Sequence, residues 1–213
     1  MQLQSVNQTM EIKVLNLKTE TKRREYMKSQ LSGASFSFFE ALSPKDIDEK
    51  LFENKPELLS REAVATFESH RKIIGSCKGV PLLILEDDST PRDNNYLNHI
   101  DELLKTEHQW DIMVIGYFPH HEDFSKKEIC DTFVKLNRFI GMHGYIINPL
   151  SVNKILDQLG EPITHVDYRI AELIANDDII GIFSKKIIFR QNNWDFKTQI
   201  PKARDILKNG ENK

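Results

Sequence analysis

The chain has 213 residues, of which 29% are charged and 39% hydrophobic, a balance typical of a folded domain rather than a disordered or membrane-embedded chain. The formal net charge of −3 argues against a nucleic-acid-binding protein, because neutralising phosphates requires concentrated Lys and Arg. Cys77 and Cys130 give no disulfide framework. The polar stretch at 1–10 lacks the features of a secretory signal, and no apolar run is long enough to span a bilayer. We therefore expect a cytoplasmic protein without a transmembrane segment.

The predicted elements alternate between strand and helix along the chain. Strands are predicted from apolar runs or alternation at 11–17, 35–42, 82–85, 110–118 and 138–148, with a late extended segment at 179–191. Helices are predicted at 19–31, at 61–77 with Ser60 as the cap, at 94–105, at 149–159 beginning with Pro149, and at 167–176. Residues 43–59 are expected to form a surface connection, and residues 119–137 a mobile loop or a short excursion.

This alternation predicts a single α/β domain with a mostly parallel central sheet flanked by helices. The domain is expected to span residues 11–200, with polar tails at 1–10 and 201–213. In such sheets, ligands bind outside the carboxyl ends of the strands. Polar residues that directly follow a strand are therefore the first candidates for a functional site.

Three adjacent carboxylates, Glu86, Asp87 and Asp88, directly follow the aliphatic run at 82–85. Because they repel one another, a divalent cation would stabilise them, and oxygen ligands suit Mg²⁺ or Mn²⁺. Alternation along an extended segment predicts that Glu86 and Asp88 share one face while Asp87 lies on the other. The alternative is a solvated turn at the end of the strand, where acidic residues are common.

A second group of polar residues lies around the first predicted strand. Asn16 ends this strand, and Arg23 and Arg24 follow in the next helix. The planar guanidinium group matches the geometry of a phosphate. The alternative is a solvated basic face of the helix.

Two histidines are further candidates. His70 shares one helical stripe with Phe67, Ile74 and Cys77, which is also typical of a satisfied core residue, and the neighbouring Ser69 can reach a sugar or a phosphate. His143 lies between two glycines and is expected to be more exposed than His70.

Asp167 lies near the start of the last predicted helix. A carboxylate in this position can act as a general base, or it can cap the helix.

The order of these motifs resembles glycosyltransferase family 25, which includes bacterial lipooligosaccharide and collagen galactosyltransferases. "VLNLKTETKRREYMKSQL" is similar to the family's opening, with matches at Asn16, Leu17, Arg23 and Arg24. Further matches are the "SH" pair Ser69 and His70, the "LEDD" of residues 85–88, "QWDIMVIG", "HGYIIN" with His143 and Tyr145, "PITHVDYRI", and Gln191. The run "VATFESH" and the linker "KTETK" depart from the family pattern.

The resemblance implies a GT-A-type fold and an inverting transfer of galactose or glucose from a UDP-sugar to a hydroxyl of a glycan or hydroxylysine-type acceptor. It implies that Glu86 and Asp88 hold Mn²⁺ or Mg²⁺. The resemblance also implies that seven residues bind the UDP-sugar donor: Asn16, Leu17, Arg23, Arg24, Ser69, His70 and Asp87.

The resemblance leaves the catalytic base open. Asp167 is the leading candidate for the base, with His143 as the alternative or as a third metal ligand. Peripheral association with a membrane-bound acceptor is compatible with this interpretation. Two other hypotheses stay open: a non-catalytic relative that keeps the fold for binding or adhesion, and a metal-dependent phosphohydrolase or nuclease.

Overall fold

The aliphatic runs of the sequence form the central strands of the fold. The structure is a computed structural model that describes residues 10–52, 59–118 and 126–197. Its strands are β1 (Glu11–Asn16), β2 (Ser37–Glu40), β3 (Leu82–Glu86), β4 (Ser89–Pro91), β5 (Ile112–Phe118), β6 (Lys126–Glu128), β7 (Phe133–Leu136), β8 (Ile140–Ile147), β9 (Gly181–Ser184) and β10 (Phe189–Gln191). Its helices are α1 (Thr21–Gln30), α2 (Glu49–Phe52), α3 (Arg61–Gly75), α4 (Tyr96–Leu104), α5 (Val152–Leu159) and α6 (Val166–Ala175). The predicted tails, 1–10 and 201–213, lie outside the described residues, apart from the buried Met10.

Eight of the described strands form one sheet in the order β2-β1-β3-β8-β5-β9-β7-β6. Strands β1, β2 and β3 run parallel to one another, as do β5 and β9. Strand β8 enters between β3 and β5 and is antiparallel to both, and β7 is antiparallel to β9. The predicted α/β class and the central sheet flanked by helices are confirmed, and the reversed strands β8 and β7 make this sheet a mixed one.

The sheet is buried on both faces because its central strands carry apolar side chains at consecutive positions. Along β3, Leu82 and Ile84 pack into one core cluster while Leu83 and Leu85 pack into the cluster on the opposite face. The first cluster includes buried residues of α3, α5 and α6, and the second includes those of α1 and α4. Among the described residues, no helix has the length and apolar character needed to cross a membrane.

Two segments differ from the prediction. The segment 119–137 was predicted to be a mobile loop or a short excursion. Its described part contains β6 and β7, which pair with each other and extend the sheet from β9. The extended segment at 179–191 splits into β9 and β10, and β10 pairs antiparallel with β4 in a separate two-stranded sheet. The predicted connection at 43–59 contains the short helix α2, and residues 53–58 and 119–125 lie outside the described residues.

Helix α3 begins where the sequence predicts. The side chain of Ser60 accepts a hydrogen bond from the backbone N–H of Ala63 at 3.2 Å, so the predicted cap is confirmed. The helix ends at Gly75, two residues before the predicted end at Cys77. It carries Ser69 and His70 on its buried side.

The contact between β5 and β8 requires a residue without a side chain. Gly116 pairs with Gly144, and a Cβ added at Gly116 would lie 2.8 Å from Cδ2 of His143 and 2.9 Å from the backbone nitrogen of Gly144. These distances are shorter than packed atoms allow, so the backbone of β8 approaches β5 closely at this point.

We predict that Gly116→Ala lowers the free energy of unfolding by about 1–3 kcal/mol, because the added methyl group overpacks the β5–β8 contact. Urea unfolding at constant protein concentration measures the change. Gly75→Ala is the matched control, since its Cβ would lie 3.5 Å from Leu156, an ordinary contact, in a helix that favours alanine. A Gly116→Ala protein as stable as the Gly75→Ala protein would contradict this account of the packing.

Candidate active site

A pocket of about 260 Å³ opens at the carboxyl ends of β1 and β3. Its walls come from segments that are distant in sequence: the end of β1, helix α1, the residues after β2, helix α3, the start of β8 and the start of α6. The predicted site residues that line it are Leu17, Arg23, Ser69, His70, Glu86, Asp87, Asp88 and Asp167. The structure therefore brings most of the predicted residues to one place, at the sheet edge where ligands bind in α/β folds.

The three carboxylates take different environments. Glu86 is the last residue of β3, with 29% of its side chain exposed, whereas Asp87 and Asp88 are buried in the turn that leads to β4. Nη1 of Arg23 donates to Oδ1 of Asp87 at 2.6 Å and to Oδ2 of Asp88 at 3.1 Å. The expectation that Asp87 lies on the face opposite Asp88 is wrong. The strand ends at Glu86, so its alternation does not extend into the turn.

Asn16, Arg23 and Arg24 hold this turn in place. Nδ2 of Asn16 donates to Oδ2 of Asp87 at 2.8 Å, and Nε of Arg24 donates to Oδ1 of Asn16 at 3.1 Å. The guanidinium of Arg24 also lies over the ring of Phe38, 4.4 Å from its centroid. Asn16 and Arg23 therefore contact the acidic residues, and Arg24 contacts Asn16. The roles of these three side chains in donor binding stay predictions.

Burial of the acidic cluster changes its protonation. Burial, together with the charge of Glu86, raises the pKa of Asp88 to about 7, and the hydrogen bond from Gln191 opposes this shift. Burial also raises the pKa of Asp87, although Arg23 lowers it. One guanidinium does not neutralise three carboxylates, so the cluster retains a capacity for further positive charge.

Ser69 and His70 line the pocket from buried positions on α3. The Ser69 hydroxyl donates to the carbonyl of Ala65 at 2.6 Å and accepts from the backbone N–H of Leu42 at 2.8 Å, so it joins α3 to the segment after β2. His70 is fully buried, with Nδ1 2.7 Å from the hydroxyl of Tyr145 and Nε2 3.7 Å from Oε1 of Glu86. His70 is buried, as expected for a core residue, but it is not fully satisfied: Nε2 has no hydrogen-bond partner among the described residues and faces a carboxylate of the site.

His143 lies behind the pocket rather than in its wall. The side chain is 1% exposed, so the expectation that it is more exposed than His70 is wrong, because β8 is an interior strand. Nε2 is 3.1 Å from the carbonyl of Phe189 and therefore carries the proton. Burial lowers the pKa of His143, although the charge of Glu86 opposes this. The imidazole is therefore neutral. Its Nδ1 has no hydrogen-bond partner among the described residues.

Asp167 lines the same pocket as the acidic turn and lies in the first turn of α6. Its Oδ2 accepts from the backbone N–H of Gly141 at 3.0 Å, and its Oδ1 accepts from the backbone N–H of Tyr168 at 3.0 Å. The residue at the N-cap position is His165, which makes no side-chain cap hydrogen bond, and Asp167 instead satisfies the first-turn N–H of Tyr168. Asp167 also fixes the start of β8 and keeps a carboxylate at the pocket wall.

The C-terminal part of the described chain also reaches the site. Nε2 of Gln191 donates to Oδ2 of Asp88 at 3.2 Å, and Nη2 of Arg23 donates to the carbonyl of Lys197 at 2.8 Å. The ring of Phe196 lies 4.9 Å from the Arg23 guanidinium. Of the C-terminal residues that reach the site, the sequence predicted only Gln191. Lys197 could not be predicted, because it contributes a backbone carbonyl, which every residue type has.

The oxygen atoms of the cluster fit a hard divalent cation. Oδ1 of Asp88 is buried and has no hydrogen-bond partner among the described residues, and the carboxylate of Glu86 is partly exposed. Within residues 10–52, 59–118 and 126–197, no three His, Cys, Asp or Glu side chains converge on one metal position. The protein would therefore supply one or two carboxylates, as is common for Mg²⁺, with phosphate and water as the other ligands.

We predict a pH dependence of stability from Asp88 in metal-free buffer. The pKa of this carboxyl is about 7 in the folded chain and about 3.9 in an unfolded one. Between these values the folded state keeps a proton that the unfolded state releases, so the contribution of Asp88 to stability falls as the pH rises. Asp88→Asn removes this dependence. Its stability relative to the unmodified protein should therefore increase from about pH 4 to about pH 7 and then level off.

Urea unfolding with a chelator present, at about pH 5, 6 and 8, measures this difference. Asp101→Asn on the exposed side of α4 is the control and should show a constant difference. A constant difference for Asp88→Asn would contradict the buried, partly protonated state of this residue.

Comparison with known proteins identifies the family. The model of glycosyltransferase family 25, described as LPS biosynthesis proteins, matches residues 10–170. No curated protein sequence gives a significant match. Similar solved structures include a glycosyltransferase involved in the glycosylation of the major capsid of PBCV-1, which is 11% identical with a TM-score of 0.49 over 96% of this chain and 99% of that chain. Another is the inositol-1-phosphate CTP transferase from T. maritima, which is 11% identical with a TM-score of 0.44 over 95% of this chain and 78% of that chain. Since the family model spans most of the chain, the protein belongs to glycosyltransferase family 25, a family of enzymes that transfer sugars.

Proposed function

We propose that this protein transfers galactose or glucose from a UDP-sugar to a hydroxyl of a glycan or hydroxylysine-type acceptor, with inversion at the anomeric carbon and with Mn²⁺ or Mg²⁺ as cofactor. Membership of the family supports sugar transfer in general. The nucleotide, the metal, the stereochemistry and the acceptor are the finer parts of the proposal. A cytoplasmic location and peripheral association with a membrane-bound acceptor stay predictions.

One observation carries the proposal: three carboxylates share the end of β3 with a single guanidinium, and Oδ1 of the buried Asp88 has no partner among the described residues. Such a group is unfavourable on its own, because the desolvated charge is only partly compensated. A cation held by Glu86 and Asp88 would supply the missing charge. The bound diphosphate of the donor would complete the coordination of that cation.

The bound cation would stabilise the negative charge that develops on the UDP leaving group, as a Lewis acid does. The protein residues perform the other parts of the reaction. Arg23 keeps Asp87 and Asp88 in place in the pocket, and Leu17 lines the same pocket. The acceptor hydroxyl attacks the anomeric carbon from the side opposite UDP, and the bond from that carbon to the phosphate oxygen breaks with its electron pair left on UDP. Asp167 takes the proton of the attacking hydroxyl.

A non-catalytic relative that acts as a binding or adhesion protein is the principal alternative. Loss of the acidic residues would favour it, and all three are present in this chain. A phosphohydrolase or nuclease with two metal ions would require more carboxylates at one position than the described residues supply. The product separates these alternatives: a transferase releases intact UDP from a UDP-sugar, whereas a phosphohydrolase cleaves a bond to phosphorus and a binding protein leaves the UDP-sugar unchanged.

We predict slow hydrolysis of UDP-galactose or UDP-glucose by the purified protein with Mn²⁺, and its loss with a chelator. Asp88→Asn should lower this activity by at least about 100-fold, because a metal ion contributes several kcal/mol to stabilising the leaving group. Coupled detection of released UDP measures the rate. Asp101→Asn on α4 is the control and should keep full activity.

Binding gives a second measurement of the same proposal. UDP and Mn²⁺ together, at about 100 times the dissociation constant, should stabilise the fold by about 2.7 kcal/mol. A protein that shows this stabilisation without any turnover of a UDP-sugar would favour the non-catalytic alternative. Full activity of Asp88→Asn, or full activity with the chelator, would contradict the metal assignment.

We predict that Asp167→Asn lowers kcat by about 100- to 10,000-fold, because it removes the group that accepts the acceptor's proton. The amide oxygen can still accept from the backbone N–H of Gly141, which holds the start of β8, while the contact with the N–H of Tyr168 is lost. Steady-state kinetics with a glycan acceptor, together with calorimetric titration of UDP and Mn²⁺, separates the two effects. Unchanged kcat, or a loss of UDP affinity as large as the loss of rate, would contradict the role of Asp167 as the base.

A further inference from the structure

A buried pair of side chains lies directly beneath Glu86. The hydroxyl of Tyr145 and Nδ1 of His70 are 2.7 Å apart, and the two rings stack at a centroid distance of 5.8 Å with an angle of 29° between them. Both residues are fully buried. The other ring nitrogen of His70, Nε2, faces Oε1 of Glu86 at 3.7 Å and has no hydrogen-bond partner among the described residues.

The environment decides which nitrogen of His70 carries the proton. Burial and the charge of Glu86 raise the pKa of Tyr145 well above its usual value, so its hydroxyl keeps its hydrogen. If Nδ1 were protonated, the Tyr145 hydroxyl hydrogen would have no acceptor in this contact, and the lone pair of Nε2 would face a carboxylate oxygen. If Nε2 is protonated, Tyr145 donates to Nδ1 and the Nε2–H points at Glu86. Only this second arrangement satisfies both ends of the imidazole.

The pair is held by rigid elements. Tyr145 lies on β8 opposite Ile84 of β3 and Val114 of β5, so its backbone is fixed from both sides. His70 lies on the buried face of α3. Closing the distance from Nε2 to Glu86 to an ordinary hydrogen bond requires a movement of about 0.8 Å, which rotation of the partly exposed carboxylate can supply.

We propose that Tyr145 and His70 are positioning residues for Glu86: Tyr145 fixes the tautomer of His70, and the Nε2–H of His70 then orients the Glu86 carboxylate at the floor of the pocket. The consequence for cation binding rests on the proposed function, in which Glu86 is a metal ligand. Hydrogen bonds of this kind commonly orient the carboxylates and imidazoles that bind metals, and their loss costs about 10- to 100-fold in metal affinity. Donor binding by His70, as the sequence predicts, is thereby replaced by an indirect role.

The tautomer can be measured without any metal or substrate. In metal-free protein with ¹⁵N-labelled histidine, we expect His70 to carry its proton on Nε2, and His70→Gln assigns its signals. In Tyr145→Phe this preference should be lost, and the side-chain carboxyl ¹³C signal of Glu86 should shift. Tyr117→Phe is the matched control, because it also removes a buried tyrosine hydroxyl, one that donates to the carbonyl of Ser184 at 3.1 Å. It should change neither signal.

Metal affinity is the second readout. Calorimetric titration of Mn²⁺ in the presence of UDP should give a dissociation constant about 10- to 100-fold higher for Tyr145→Phe and for His70→Asn. His70→Gln should lie closer to the unmodified protein, since the glutamine amide nitrogen reaches the position of Nε2 and the asparagine amide reaches only that of Nδ1. Tyr117→Phe should keep the Mn²⁺ affinity of the unmodified protein. Comparing the stability of Tyr117→Phe with that of Tyr145→Phe shows how much of any effect comes from losing a buried hydroxyl.

The outcomes separate this inference from the proposed function. Unchanged Mn²⁺ affinity in Tyr145→Phe, or a proton on Nδ1 of His70 in the metal-free protein, would overturn the positioning role while the transferase proposal stands. If the unmodified protein binds no Mn²⁺ with UDP, the metal assignment fails. The tautomer and the Glu86 signal then still decide whether the pair orients this carboxylate.

Discussion

The bridge from Arg23 to Asp87 and Asp88 is the interaction on which the candidate site depends. Three carboxylates in sequence repel one another, and burial increases the cost of their charge. Parallel pairing of β1 with β3 places Leu15 opposite Glu86, so the helix that follows β1 begins beside the turn that follows β3. Arg23 in the first turn of this helix therefore meets the acidic residues. Its single charge allows two of them to be buried and leaves the cluster short of positive charge.

The antiparallel strand β8 completes the pocket. Because β8 runs against β3, with Gly144 opposite Leu85, the residues at the start of β8 extend past the end of β3. Gly141 consequently lies at the same edge of the sheet as the acidic turn, and its N–H is held by Asp167. If β8 ran parallel to β3, its carboxyl end, rather than its start, would lie at the pocket. The direction of β8 thus sets which residues face the acidic cluster and places Tyr145 beneath Glu86.

Local pattern was sufficient to predict much of this structure. The apolar runs predicted the central strands, Ser60 predicted the start of α3, and the order of motifs predicted which segments meet at the pocket. The direction of β8 was not predictable, since parallel and antiparallel interior strands have the same apolar composition. The shared contact of Asp87 and Asp88 with Arg23 was also missed, because strand alternation holds only as far as the strand continues. His143 was misjudged for a related reason: glycine neighbours suggested exposure, whereas here they allow neighbouring strands to approach and bury it.

The most direct measurement is anomalous diffraction at the manganese edge from crystals grown with UDP and Mn²⁺. Our account predicts one ion within coordination distance of Glu86 and Asp88, with diphosphate oxygens of UDP as further ligands and Arg23 still bound to the acidic turn. A well-ordered UDP in the pocket with no ion beside these carboxylates, or an ion bound elsewhere, would contradict it.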